Sequence, residues 1–83
     1  MPLENESLKE ILLRNNQIMT IPKEIKQLKN LRKLDLRGNQ IDDLPKQLLY
    51  LDKLERLDLR WNPIEKLPDW TTELRERNCI IYI

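Results

Sequence analysis

Residues 31–53, LRKLDLRGNQIDDLPKQLLYLDK, form a unit that the chain repeats once before and once after. In this unit the recurring positions are Leu31, Leu34, Leu36, Asn39, Ile41, Leu44, Pro45, Leu48 and Leu51. The same kinds of residue stand 23 positions earlier and later, and Thr71 is the one mismatch in the third copy. A fixed period near this length indicates a repeat architecture. We therefore expect one domain over 1–83, with repeats at 8–30, 31–53 and 54–76.

Each repeat is predicted to contain one strand and one return segment. In residues 31–39, Leu34 and Leu36 alternate with charged residues, so a strand would place leucines on one face and charges on the other. After Pro45 the leucines recur three apart, the spacing of one face of a short helical or 3₁₀ turn. A single repeat cannot bury its apolar residues, but stacked copies bury them together and pair their strands into a parallel sheet.

This pattern, LxxLxLxxNxIxxLPxxIxxLxx, resembles the leucine-rich repeat family in its 23-residue intracellular form, over residues 8 to about 76. The resemblance implies an α/β solenoid: a short right-handed curved coil with a parallel sheet on the concave face. Short helical or 3₁₀ segments would lie on the convex side. It also implies a protein-binding surface and no catalytic reaction.

Composition excludes several classes of function. The 83 residues carry 15 basic and 14 acidic side chains, so net charge gives no reason to expect nucleic acid or a membrane as partner. No His is present and Cys79 is the only cysteine, which argues against a zinc site, any other cofactor, an internal disulfide and an enzyme. No secretory leader, long apolar run or cysteine-rich cap is visible, so the expected location is cytoplasmic.

The two ends of the chain depart from the repeat. Residues 1–7 contain too few apolar side chains for a substantial cap over the first strand. After Pro68, Asp69 is predicted to cap a helix starting at Trp70. The final stretch, CIIYI (79–83), reads as a fourth strand.

Two registers are open for that strand. The 23-residue spacing places Ile80 and Tyr82 inward and is the one we favour. A one-residue slip would bury Cys79, Ile81 and Ile83 instead.

Three columns of residues have structural explanations. Asparagines 16, 39 and 62 are expected to form a ladder that satisfies backbone groups of neighbouring turns. Prolines 22, 45 and 68 set φ at the start of each convex segment. Gly38 indicates a tight bend after the strand, and Trp61 in its place in the third copy suggests that this bend does not strictly need positive φ.

The strand positions that face away from the core are more informative about function, because packing does not dictate them. Diagonal ion pairs between arginine and aspartate columns are expected there. The residues predicted to form a protein-binding concave face are Arg14, Lys33, Asp35, Arg37, Arg56, Asp58, Arg60 and Trp61.

This face has two interpretations. It is either a self-neutralising charged surface or a recognition surface in which arginines lie beside an exposed tryptophan. Trp61 itself either anchors an interface or packs over the last repeats. On the convex side, exposure of both Leu49 and Tyr50 would indicate a second contact patch.

The function expected from the sequence is a non-catalytic protein-interaction module with a protein partner of unknown identity. The alternative is a structural or regulatory segment that acts by self-association, as a homodimer, or as part of a larger scaffold. Nucleic-acid binding through Arg14, Arg37 and Arg60 is disfavoured by the aspartates interleaved with them.

Overall fold

The computed structural model describes residues 7–83, so residues 1–6 of the expected thin N-terminal cap lie outside it. The described chain forms four short parallel strands in chain order, joined by three arcs. The strands are β1 (Glu10–Leu12), β2 (Lys33–Asp35), β3 (Arg56–Asp58) and β4 (Ile80–Tyr82). The arcs contain two 3₁₀ segments, Lys23–Gln27 and Lys46–Tyr50, and one α-helix, α1 (Thr71–Glu76). The predicted repeat solenoid is confirmed.

The repeats stack in the register that the 23-residue spacing predicts. Ile11 pairs with Leu34, and Leu34 pairs with Leu57, so the inward side chains of neighbouring strands lie side by side. In the middle repeat the inward leucines are fully buried, because a repeat covers it on each side. The core is therefore a continuous apolar column that no single repeat could form.

The arcs begin where the prolines were expected to place them. Pro22 and Pro45 are extended and immediately precede the two 3₁₀ segments, each offering its carbonyl to an amide three residues on. One apolar side chain in each segment, Ile25 and Leu48, is completely buried. The convex segments thus close the core from the side opposite the sheet.

The asparagine ladder is present in the second and third repeats. Asn39 donates Nδ2 to the carbonyls of Leu13 and Leu36, both at 2.9 Å, and its Oδ1 accepts from the Ile18 amide at 3.1 Å. Asn62 makes the equivalent contacts one repeat later. These bonds cross between repeats and satisfy backbone groups that the bend would otherwise leave without partners.

The bend before each asparagine requires the left-handed backbone conformation, so the prediction drawn from Trp61 is wrong. Asn15, Gly38 and Trp61 have φ values of 56°, 70° and 63°. The reason is the ladder itself, since each asparagine must turn back to reach carbonyls two and three residues earlier. Glycine adopts this conformation without strain, asparagine tolerates it, and a bulky aromatic residue rarely adopts it.

The last arc corrects the favoured register of β4. Leu57 pairs with Ile81 rather than Ile80, so Cys79 is buried and Ile81 faces the core, while Ile80 is half exposed. Ile83, which the slipped register would also bury, is exposed. The arc carries one extra residue because it contains an α-helix, which rises only about 1.5 Å per residue against about 2.0 Å in a 3₁₀ helix.

The start of α1 also differs from expectation. The helix begins at Thr71 rather than Trp70, and Asp69 supplies no side-chain cap. Backbone bonds from the amides of Thr71 and Thr72 to Pro68 and Asp69 occupy those donors instead. Thr71, the mismatch in the repeat pattern, is buried, and its hydroxyl donates to the Pro68 carbonyl at 2.7 Å.

Candidate functional site

The candidate site is the concave face, which consists of the side chains that leave the sheet on the side away from the core. Strand pairing fixes two rows across this face. The first row is Glu10, Lys33, Arg56 and Ile80, and the second row is Leu12, Asp35, Asp58 and Tyr82. Arg14, Arg37 and Arg60 stand two residues beyond the second row, and Trp61 follows at the rim.

The two aspartates of the second row are buried beneath the arginines. Asp35 is 1% exposed and Asp58 is 7% exposed. Both had been expected to be accessible on the binding face, and a partner cannot reach Asp35. The chain nevertheless tolerates two buried carboxylates because each one is engaged by guanidinium groups.

The arginines form a ladder with these carboxylates. Arg14 donates a hydrogen bond from Nε to Oδ2 of Asp35 at 2.7 Å. Arg37 donates two hydrogen bonds to the same carboxylate, from Nε at 3.1 Å and from Nη2 at 2.9 Å. Arg37 also lies 3.3 Å from Asp58, which Arg60 holds at 3.0 and 2.6 Å. The predicted diagonal ion pairs are thereby confirmed.

The pKa values follow from this arrangement. Burial alone raises the pKa of Asp35, but hydrogen bonds from Arg37 and Arg14 outweigh it and hold that pKa far below its usual range. Burial and the bonds from Arg60 compete in the same way at Asp58, whose pKa is also lowered. Both carboxylates are therefore charged at neutral pH, where the ladder is fully ionic.

The first row carries charge that the ladder does not neutralise. Lys33 and Arg56 are adjacent in register, and neither makes an ion pair within 4.0 Å among residues 7–83. Glu10, the acidic residue of this row, stands opposite Lys33 in the strand register. The two side chains make no ion pair among the described residues. The self-neutralising interpretation thus fits the arginine ladder but not Lys33 and Arg56.

Two aromatic side chains border the ladder. Trp61 is 74% exposed, so the alternative in which it packs over the last repeats is wrong. The Arg60 guanidinium lies 5.1 Å from the centroid of the Tyr82 ring, within the range of a cation–π contact. Sequence reasoning missed Tyr82 because the favoured register pointed it into the core. The slipped register, left open, would have found it.

The convex pair is not a continuous patch. Tyr50 is 63% exposed, whereas Leu49 is partly buried against the core. The Lys26 ammonium lies 5.7 Å from the Tyr50 ring centroid. Beside Tyr50 a groove of about 510 Å³ runs toward Arg77, which donates to the Leu49 carbonyl at 2.6 Å. Tyr50 is thus a single exposed aromatic residue on the convex side.

Other chemistry has little support in the described part of the chain. Burial raises the pKa of the Cys79 thiol to about 11, which makes it a poor nucleophile. Residues 7–83 contain no cluster of three or more His, Cys, Asp or Glu side chains placed to hold a metal ion. None of their helices has the length and apolar character needed to cross a bilayer.

These features define a class of protein: a short repeat solenoid that presents a charged, aromatic-rimmed sheet face. A family model described as leucine rich repeat matches residues 5–70. The chain belongs to the leucine-rich repeat family, whose fold commonly serves protein interaction rather than catalysis.

One similar solved structure is that of a leucine-rich repeat protein of Leptospira interrogans. It is 38% identical, with a TM-score of 0.83, and the match covers 98% of this chain and 21% of the other. This chain therefore spans about a fifth of the length of that protein. Comparison with curated proteins found no match.

Proposed function

We propose that this chain is a protein-binding module that contacts its partner through the concave face. The observation that supports this most directly is Trp61, which is 74% exposed and adopts positive φ. An exposed indole that follows Arg60 in the sequence matches the composition of interface anchors, where Trp and Arg are enriched. The asparagine ladder accounts for positive φ at this position, but it does not account for a tryptophan that is strained there and gains little packing in return, which points to a role outside the fold.

The accessible part of this surface is narrower than the set predicted from sequence. Arg14 and Arg60 are about half exposed, whereas Arg37 is 16% exposed and serves mainly to hold the two carboxylates. Lys33, Arg56 and Trp61 complete the contact set that we propose. Asp35 and Asp58 act indirectly by fixing the arginines.

The test compares two matched aromatic truncations, Trp61→Ala on the concave rim and Tyr50→Ala on the convex side. The tagged chain captures partners from lysate of its source cells, and quantitative mass spectrometry compares each variant with the wild type. We expect Trp61→Ala to lose the captured protein by at least tenfold, as at an interface anchor. We expect Tyr50→Ala to retain it.

Equal capture by wild type and Trp61→Ala, with loss in Tyr50→Ala, would place the contact on the convex side and refute the proposal. Circular dichroism and urea unfolding of both variants establish that neither result reflects misfolding. Arg37 is unsuitable for charge reversal, because a new carboxylate there would face two buried ones. Arg56→Glu avoids this, since Arg56 holds no ion pair within the described residues 7–83.

Self-association is a second candidate that two exposed apolar residues favour. Leu12 and Ile80, at opposite ends of the concave face, are 56% and 50% exposed. A second copy covering them would bury apolar surface that now meets water. Sedimentation equilibrium over a wide concentration range decides this point, because a strictly monomeric chain contradicts it.

A further inference from the structure

The concave face contains a small hollow between β2 and β3. Its volume is about 210 Å³, which is below the range of roughly 300–1,000 Å³ typical of small-molecule sites and suits one side chain. Its rim carries four cations, Lys33, Arg37, Arg56 and Arg60, and Asp35 and Asp58 lie in its lining. Leu34 and Tyr82 complete its lining.

The charge of the hollow is positive despite its two carboxylates. Asp35 and Asp58 are each already bound by two arginines, so neither is available to Lys33 or Arg56 across the hollow. Lys33 and Arg56 have no ion-pair partner among residues 7–83. An anionic group entering the hollow would satisfy both without displacing any existing bond.

The arginines of the rim are already oriented. Arg37 and Arg60 each use Nε and Nη2 on an aspartate, and their Nη1 groups make no hydrogen bond among the described residues. Arg60 is fixed a second time by the Tyr82 ring. Donors held in place before binding lose little side-chain entropy when an acceptor arrives.

Trp61 directly follows Arg60, a member of this rim, in the sequence. It lies in the turn after β3, which ends at Asp58, and it adopts the left-handed conformation with most of its side chain in water. A peptide segment with one side chain in the hollow could therefore bring a neighbouring side chain to this exposed indole. That combination selects for an anion followed closely by an apolar group.

We propose that the hollow binds the carboxylate side chain of an acidic peptide segment in the partner, while Trp61 contacts an adjacent apolar side chain of the same segment. Charge complementarity supports this occupant, since the rim carries more positive charge than the two aspartates neutralise. The inference rests on the proposed function, because it names the chemistry of the partner on the same face.

The test selects short random peptides, displayed on phage, against the intact 83-residue chain. We expect the enriched peptides to contain Asp or Glu close to an apolar residue. Their affinity, measured by fluorescence anisotropy, should fall with rising salt because the contacts are ionic. Arg56→Glu and Lys33→Glu should each weaken binding about tenfold, the effect of losing one charge-assisted hydrogen bond.

The matched control is Lys23→Glu, the same charge reversal in the first 3₁₀ segment on the convex side. Its affinity should stay within about twofold of wild type, since long-range charge effects at a surface are screened. In the part of the chain that the structure describes, Lys33 and Arg56 form no ion pairs that the substitutions would remove. Urea unfolding of each variant checks that the fold is retained.

Each contrary outcome has a distinct meaning. Peptides that require Trp61 but contain no acidic residue would overturn this inference and leave the concave face as the binding surface. Peptides insensitive to both Trp61→Ala and Arg56→Glu would overturn the concave face as well. A selection that enriches no peptide contradicts the inference, because an isolated acidic segment should suffice, while the partner capture remains an independent test of the function.

Discussion

The backbone conformation of Trp61 predicts an unusual order of stability for its alanine and glycine variants. At most positions alanine stabilises a fold more than glycine, by roughly 0.5–1 kcal/mol, because glycine loses more conformational freedom on folding. At Trp61, with φ of 63°, the order should invert. We predict that Trp61→Gly is more stable than Trp61→Ala.

The magnitude follows from two opposing terms. In the left-handed region, a residue with a Cβ costs the folded state about 1–2 kcal/mol of conformational free energy. Glycine avoids that cost but has an unfolded chain that is more favourable by about 0.4–1 kcal/mol. The difference makes the free energy of unfolding of Trp61→Gly higher than that of Trp61→Ala by about 1 kcal/mol. Both variants lose the same indole contacts, so those contacts cancel in the comparison.

The assay is urea and thermal unfolding followed by far-ultraviolet circular dichroism, which does not depend on the missing indole. About 1 kcal/mol corresponds to a difference in Tm of roughly 4–8 °C for a domain of this size. The control is the same pair of substitutions at Arg75, an exposed position within α1, where alanine should be the more stable.

A finding that Trp61→Ala equals or exceeds Trp61→Gly in stability would refute the reasoning about the bend. Gly38→Ala tests the same column from the other direction. Its φ is 70°, and a Cβ there would collide with Oδ1 of Asn15. Gly38→Ala should therefore lower the free energy of unfolding by at least about 1–2 kcal/mol, the cost of a Cβ in the left-handed region.

Three further predictions concern other parts of the molecule. Because Asp35 and Asp58 have lowered pKa values, the native chain binds fewer protons than the unfolded chain in acid; its urea midpoint should hold above about pH 4 and fall below it, and a midpoint unchanged at about pH 3 would contradict the ladder. Asn39→Ala should lower the free energy of unfolding in urea by about 3 kcal/mol, since it leaves buried groups without partners. Asn16→Ala removes an exposed hydrogen bond and should lower it by less than about 1 kcal/mol, and similar losses in the two variants would argue against the cross-repeat ladder. Cys79, with its pKa raised to about 11, should react with iodoacetamide far more slowly in the native chain than in urea, and equal rates would show that the thiol is accessible.

The repeat pattern was sufficient to predict the sheet, the register of its first three strands and the core that the three repeats share. Side chains that recur every 23 residues can be buried only against their own copies, so Leu34 and Leu57 had to be neighbours. The sheet face was harder to predict, because alternation places an aspartate outside the core but says nothing about what covers it. The burial of Asp35 depends on Arg37 and Arg14 folding over it.

Two errors had signals in the sequence. The column of Asn15, Gly38 and Trp61 contains the two residue types most tolerant of positive φ, which should have outweighed the tryptophan. The register of β4 depended on whether the last arc was α-helical or 3₁₀, and those forms advance by different lengths per residue. Period alone cannot decide between them.

The asparagine ladder gives the stack a direction. Oδ1 of Asn39 binds the amide of Ile18, and Oδ1 of Asn62 binds the amide of Ile41, so each repeat completes hydrogen bonds of the repeat before it. In a hydrogen-exchange experiment, the amide proton of Ile18 therefore becomes available to solvent when the second repeat opens, even while the first repeat stays folded. Protection measured at one coil is thus a report on the integrity of the next.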